Sequence, residues 1–278
     1  MRITYSWIKE FLDITMSPDK LAASLTMAGL SVASLERVGD EWVYDIEVTS
    51  NRPDWLSVRG IVHEVAAVTG ARFKNTVPRP TSHVRTGKSR SADGFSLRID
   101  DTKGCGLYWG GLLRNVKVGP SPAWLKNRLE ALGVRSVNNV VDITNHEMLE
   151  FGQPLHAFDF DKLDGGAIVV RRARANEPIV LIDGTEKKLT GDILVIADQK
   201  KPVAAAGIMG GRDTEVSDKT ANILLESAYF DPVTVRRGAR CLGTASEASY
   251  RFERGVDVAT VRTAFEKAIT RIVEVAGA

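Results

Sequence analysis

The chain has 278 residues, 44% hydrophobic and 26% charged, which fits a water-soluble globular protein with room for one large domain or two modest ones. A formal net charge of +2 excludes a global field for nucleic acid, so any such contact must come from local patches, and two cysteines, Cys105 and Cys241, exclude a disulfide framework or a cysteine metal cluster. The opening MRITYSWIKEFLDI carries Arg2, Lys9, Glu10 and Asp13 where a signal peptide would be apolar, and no apolar run approaches the roughly 20 residues of a membrane span, so a reduced cytoplasmic setting is expected.

Residues 5–12 predict a short helix with Trp7, Ile8, Phe11 and Leu12 on one side. SPDKLAASLTMAGL predicts a second, with Ser17 as cap, Pro18 in first position and Gly29 at the end. VYDIEVTS alternates as a strand, NRPD is a turn, and DWLSVRGIVHEVAAVTG predicts a third helix ending at Gly70. These elements make a block over residues 1–70. Residues 71–94 carry six Lys or Arg and one Asp without a periodic apolar face, so they read as a basic linker. Solvation accounts for that charge; phosphate contact is the other reading.

The second block, 95–278, opens with the strand-like FSLRID and GLYWGGLLRNVKV. SPAWLKNRLEALG predicts a helix with Ser121 as cap, Pro122 first and Gly133 last. SVNNVVDITNHEMLE predicts another, apolar at Val137, Val140, Val141, Met148 and Leu149. AIVVRRA, IVLID, ILVIA, PVAAAGIMGG and ILLESAYF read as strands, with hairpin turns at Asp183–Gly184 and over Asp198 to Pro202. DPVTVRRGARCLG is a helix capped by Asp231, and DVATVRTAFEKAITRIVEVAG a long amphipathic one. The class is α+β: a small helical N-terminal module with a short sheet, then a larger mixed α/β module on a β-sandwich-like core.

The stretch TNHEMLEFGQPLHAFDF crowds Thr144, Asn145, His146, Glu147, Gln153 and His156 around a Gly-Gln-Pro turn, as ligand-binding loops do. His63 reads as a packing or surface histidine, His83 as solvated in the linker, and His146 as exposed. His156 follows a proline and precedes Ala157 and Phe158, so it either ties down the loop or meets a ligand. Zinc held by His146 and His156 with Glu147 or Asp159 is disfavoured, because HEMLE is not HExxH and no cysteine pair is near. Cys241 has no nucleophile signature. GIMGG, 207–211, lacks the Lys-Ser/Thr of a phosphate loop but lets backbone amides approach a ligand. Glu226 lies inside the apolar ILLESAYF; it either faces water or, turned inward, needs a partner.

The order of SWIKEFLDI, LAASLTMAGLSVASLE, DIEVTSNRPDWLSVRGIVHEVAAVTG, SVNNVVDITNHEMLEFGQPLHAFDFDKL, GIMGG, LLESAYFDPVTVRR and SEASYRFERGVD across nearly the whole chain resembles the N-terminal part of the bacterial phenylalanyl-tRNA synthetase beta subunit family. NRPD-x-L-S-x-R-G and GQPLHAFD are its most specific pieces. The resemblance implies that 95–278 is an editing module, which hydrolyses tyrosine wrongly attached to tRNA-Phe. It maps catalytic roles onto His156, Thr144 and Asn145, and substrate binding onto Gly207, Gly210, Glu226, Ser246 and Ala248. At Ser246 the family often has threonine and at Glu247 aspartate, so the pocket is expected to be altered rather than lost.

The resemblance further implies tRNA-Phe and the alpha subunit as partners, and no metal or cofactor in this chain, ATP and Mg belonging to the synthetic module. Many relatives insert an oligonucleotide-binding barrel near Leu35 to Tyr44; here the connection is only ERVGDEWV, so the barrel is expected to be absent. The class II aminoacylation module is missing from these residues, so no tRNA charging is expected of them. The alternative is a non-catalytic scaffold that docks on the alpha subunit and positions tRNA.

Overall fold

Caps and turns set most element boundaries. The structure is a computed structural model that describes residues 1–74, 89–92 (backbone alone) and 94–278. His83 and most of the expected linker lie outside the described residues. The chain opens with β1 (Arg2–Thr4), which passes directly into α1 (Tyr5–Phe11) because the extended Thr4 accepts the Trp7 N–H with its hydroxyl. Then come α2 (Pro18–Met27), β2 (Val32–Val38), β3 (Glu41–Ile46) and α3 (Val58–Thr69). The Ser57 hydroxyl caps α3 and Gly70 closes it in the left-handed conformation, φ 67°. The ERVGDEWV connection is a tight β2–β3 hairpin around Gly39, so Val32–Val38 is a strand that alternation alone did not mark.

The next elements are β4 (Ser89–Ala92), β5 (Phe95–Ile99), β6 (Cys105–Leu113), α4 (Ala123–Ala131), α5 (Asn139–Phe151), β7 (Leu155–Asp159), β8 (Ala167–Arg172), β9 (Glu177–Val180) and β10 (Glu186–Leu189). After them follow β11 (Leu194–Ala197), β12 (Pro202–Ala205), β13 (Met209–Gly210), β14 (Ile223–Phe230), α6 (Pro232–Leu242), α7 (Glu247–Phe252) and α8 (Val258–Ala276).

Several expectations change. Ser121 does not cap α4: its hydroxyl is drawn to Asp142, 2.6 Å away, and Pro122 takes the cap position. Val137 precedes α5, whose cap is Asn138, and is exposed. Ser89–Ala92, inside the expected linker, pairs with β5 as an edge strand, and Phe73 bridges back to Leu12. His146 is fully buried, not exposed. His63 is exposed and packs its ring on Phe73.

Three layers result. A six-stranded sheet, order β13-β12-β11-β8-β5-β4, packs on the three-stranded antiparallel sheet β6-β14-β7 through one apolar cluster. The other face of the small sheet packs on α4, α5, α8 and the N-terminal elements, whose Trp7, Ile8 and Leu21 share a second cluster with Trp109 and Phe265. Period-2 alternation sends Ile223 and Leu225 of β14 into that second cluster and Leu224, Ala228 and Phe230 into the first.

Asp142, fully buried, accepts from the Ser121 hydroxyl at 2.6 Å, the Ser136 hydroxyl at 2.5 Å and the Val137 N–H at 2.9 Å, so it joins α5 to the chain before it. Asp142→Ala should lower the unfolding free energy by roughly 1–3 kcal/mol, since it removes three hydrogen bonds to a buried carboxylate whose partly exposed donors can turn to water. A lower urea midpoint at unchanged slope checks this.

Candidate functional site

A cavity of about 60 Å³ lies between the two sheets, walled by β7, β11, β12, β14, the 207–210 turn and α7. His156 on β7 is the direct cross-strand partner of Glu226 on β14, so both side chains leave the sheet on one face. Gly207, Gly210 and Ala248 complete the wall. The GQPLHAFDF stretch thus enters the site as a strand, not a loop.

His156 stands edge-on to Phe158, ring centroids 4.5 Å apart. Its Nε2 is buried and has no hydrogen-bond partner, and burial pushes its pKa down to about 4, so the ring is neutral at pH 7. The glycines of 207–211 are dictated by this packing. A Cβ on Gly210 would lie 2.5 Å from His156 Cε1, and one on Gly207, φ +68°, would lie 3.0 Å from Phe230 and Val235. Ser246 secures the same turn. Its hydroxyl donates to the Ile208 carbonyl at 2.6 Å and accepts the Ser249 N–H, which caps α7, an element the short SEASYRF does not announce.

Glu226 does not face water. Every residue of β14 except Tyr229 is buried, and Glu226 is 6% exposed. Its partner is a residue the sequence did not single out: the Tyr108 O–H donates to Oε2 at 2.9 Å. Burial pushes the Glu226 carboxyl up to about 8 while the Tyr108 bond pulls the other way. Burial and the facing carboxylate push the Tyr108 phenol well above its ordinary value. The available signal for Tyr108 was slight, a tyrosine on the inward phase of GLYWGGLL.

Thr144 and Asn145 sit on α5 and do not line the cavity; the Thr144 hydroxyl donates to the Val141 carbonyl at 2.7 Å. His146 and His156 are not brought together. His146 lies between Trp7 and Trp124 and contacts Arg271. It forms a buried group with Glu147 and Glu150 whose ligand atoms fall within 4.8 Å of one another. Guanidinium groups already occupy that group: Arg271 Nη1 lies 2.7 Å from Glu147 Oε1, and Arg59 bonds Glu150 at 2.7 Å. Burial holds Glu147 up at about 8 and, with Arg271 and Arg128, holds His146 well down. A wider groove of about 620 Å³, rimmed by Arg174, Lys187, Lys188, Lys200 and Lys201, lies by the β9–β10 hairpin. Pro202 and Val203 line it while Ala204 and Ala205 line the His156 cavity, so both spaces border β12.

Glu226 makes stability depend on pH. The folded chain keeps its proton up to about 8, whereas an unfolded glutamate releases it near 4.5. Between those values the folded chain binds more protons, so this group's contribution falls as pH rises. His156 acts oppositely: its depressed pKa removes stability as pH drops from 6.5 towards about 4. Glu226→Gln should therefore melt close to the parent near pH 5 and clearly above it at about pH 9, as thermal scans at the two pH values will show.

Residues 104–277 match the family model described as "B3/4 domain". The phenylalanine–tRNA ligase beta subunit of Carboxydothermus hydrogenoformans is 48% identical over 238 residues, 86% of this chain and 29% of that protein. The subunit of the same name from Rhodopirellula baltica is 41% identical over 277 residues, all of this chain and 40% of that protein. The chain thus spans well under half the length of these relatives. A crystal structure of an N-terminal fragment of the Pyrococcus horikoshii phenylalanyl-tRNA synthetase beta subunit has a TM-score of 0.43 and 12% identity, covering 88% of this chain and 74% of that one.

Proposed function

This chain belongs to the B3/4 domain family and matches a segment of phenylalanine–tRNA ligase beta subunits; on that premise we propose that its inter-sheet cavity hydrolyses tyrosine wrongly esterified to tRNA-Phe. The observation that carries this reading is the orphaned, buried Nε2 of His156 set directly across from the buried carboxyl group of Glu226, over a glycine-walled cavity. An aminoacyl ester is already activated, so water needs positioning more than a covalent nucleophile. Neutral His156 offers an acceptor that holds this water, and the N–H groups of the 207–211 turn serve the developing oxyanion. With the Thr144 hydroxyl proton committed to Val141, holding the water falls to His156.

Glu226 reads the side chain. A tyrosine phenol hydrogen-bonds to this buried carboxyl group, which is protonated below about pH 8; a phenylalanine ring leaves it unmet, which costs about 1–3 kcal/mol. The empty cavity, about 60 Å³, is well below the roughly 300 Å³ of common ligand sites, so α7 and the glycine turn must move outward as the aminoacyl end enters. Partners of this reading are tRNA-Phe and the alpha subunit, and the hydrolysis calls for no cofactor. That same narrowness favours the second reading, a non-catalytic scaffold that docks on the alpha subunit and positions tRNA. Among the described residues no helix is long and apolar enough to cross a membrane.

Deacylation of Tyr-tRNA-Phe and Phe-tRNA-Phe by the chain separates the readings. The tyrosyl ester should be hydrolysed faster; a folded chain that hydrolyses neither above the spontaneous rate leaves the scaffold. His156→Ala should slow tyrosyl hydrolysis in a chain that stays folded, with a melting temperature lowered by the lost ring packing. Glu226→Ala should lower the Tyr to Phe ratio of kcat/KM by about tenfold, since roughly 1.4 kcal/mol corresponds to each factor of ten. Equal loss on both substrates would remove Glu226 as the reader of the phenol.

A further inference from the structure

We propose that Tyr108 is a positioning residue for substrate choice: by donating its phenol O–H to Oε2 of Glu226 it fixes the carboxylate and reserves Oε1 for the hydroxyl of the substrate. This rests on the functional reading above and adds a residue that neither the family motifs nor the cavity wall contains.

The geometry is specific. Tyr108 is on β6 and pairs in register with Ala228, two residues along β14 from Glu226, a diagonal that a long side chain spans. The residue directly opposite Glu226 on β6 is Gly110. A Cβ there would press on Phe95 at 3.3 Å and would reach ordinary contact with the Tyr108 ring at 3.7 Å, so the ring passes beside this glycine on its way to Glu226. Tyr108 is 4% exposed, and its O–H to Oε2 distance is 2.9 Å. Three titratable groups face or approach Glu226 among the described residues: Tyr108 and Cys105 from β6, and His156 from β7.

Without the Tyr108 bond the carboxyl group in this apolar layer would turn freely and hold its proton more tightly still. With Oε2 taken, rotation is arrested and a single oxygen is left to judge what enters. The site therefore contains one phenol permanently, and a correct editing substrate brings a second. Selectivity comes from the second hydroxyl alone, because the first is present whatever the substrate.

The test is Tyr108→Phe, which keeps the ring and deletes one oxygen, assayed with the whole chain on Tyr-tRNA-Phe and Phe-tRNA-Phe alongside Glu226→Ala and the double variant. The expected result is a Tyr to Phe kcat/KM ratio lower by about tenfold in Tyr108→Phe and no further fall when Tyr108→Phe is added to Glu226→Ala. A purely structural tyrosine would slow both substrates and leave the ratio intact. An unchanged or increased ratio, or an equal fall in the Glu226→Ala background, would overturn the proposal. Carboxyl-carbon NMR reads the contact without substrate: the Glu226 titration midpoint should rise in Tyr108→Phe, and an unmoved midpoint also overturns it. If the parent chain hydrolyses neither ester, the functional reading and the specificity role fall together, and the midpoint alone decides whether Tyr108 positions the carboxylate.

Discussion

Strand β14 is buried on both faces, flanked by β6 and β7, and its eight residues alternate between two apolar clusters. This arrangement constrains everything around it. A strand that lines two interiors has no face on which to park a carboxylate cheaply. Glu226 therefore acquires a phenol from one neighbouring strand and a histidine opposite it on the other. Ser227, on the other phase, meets the same demand by donating to the Val261 carbonyl at the start of α8. The cavity exists because the six-stranded sheet meets this face through small residues, Ala204, Ala205, Gly207 and Gly210, where larger ones would have closed the layer.

The polar groups buried elsewhere are placed differently from those at the candidate site. Glu147 and Glu150 are as deeply buried as Glu226, but arginines from α3 and α8 surround them, and that group holds helices together. His146 is similarly enclosed by aromatic rings and guanidinium groups. By contrast, His156 ends at an unmet Nε2 beside open space. What separates the two places is the neighbour: guanidinium groups stand against Glu147 and Glu150, whereas open space stands against His156.

What could be read from the sequence follows the range of each signal. Helices with local end signals, such as α3 with Gly70 and α6 with Asp231, were legible because the signal and the apolar periodicity lie within one segment, although α3 starts at Val58 behind the Ser57 cap and a 3-10 turn rather than at Asp54 as the sequence suggests. Strands fixed by distant partners were harder: Leu155–Asp159 reads as a loop until β14 supplies its hydrogen bonds, and Val32–Val38 reads as a connection until β3 folds onto it. His156, Glu226, Gly207, Gly210 and Ala248 were marked by resemblance and do converge on one cavity, whereas Thr144 and Asn145 share a helix beside it. Ser246 was marked for its hydroxyl, which here pins the glycine turn. Tyr108 escaped because its meaning lies in a register 118 residues away, and nothing within GLYWGGLL encodes that distance.

Arg251 joins the ends of this architecture. Its guanidinium is buried, donates to the Leu56 carbonyl across 195 residues of sequence, and holds the Glu247 carbonyl within α7, the helix that walls the cavity. The β14–β6 and β14–β7 pairings also join segments far apart in sequence. Such closures pay loop entropy before they return any contact energy. During synthesis Leu56 must wait for its arginine until 195 further residues have followed. The cavity is thus among the last features to form, and a chain stalled before α7 has an incomplete wall even where both sheets are already in place.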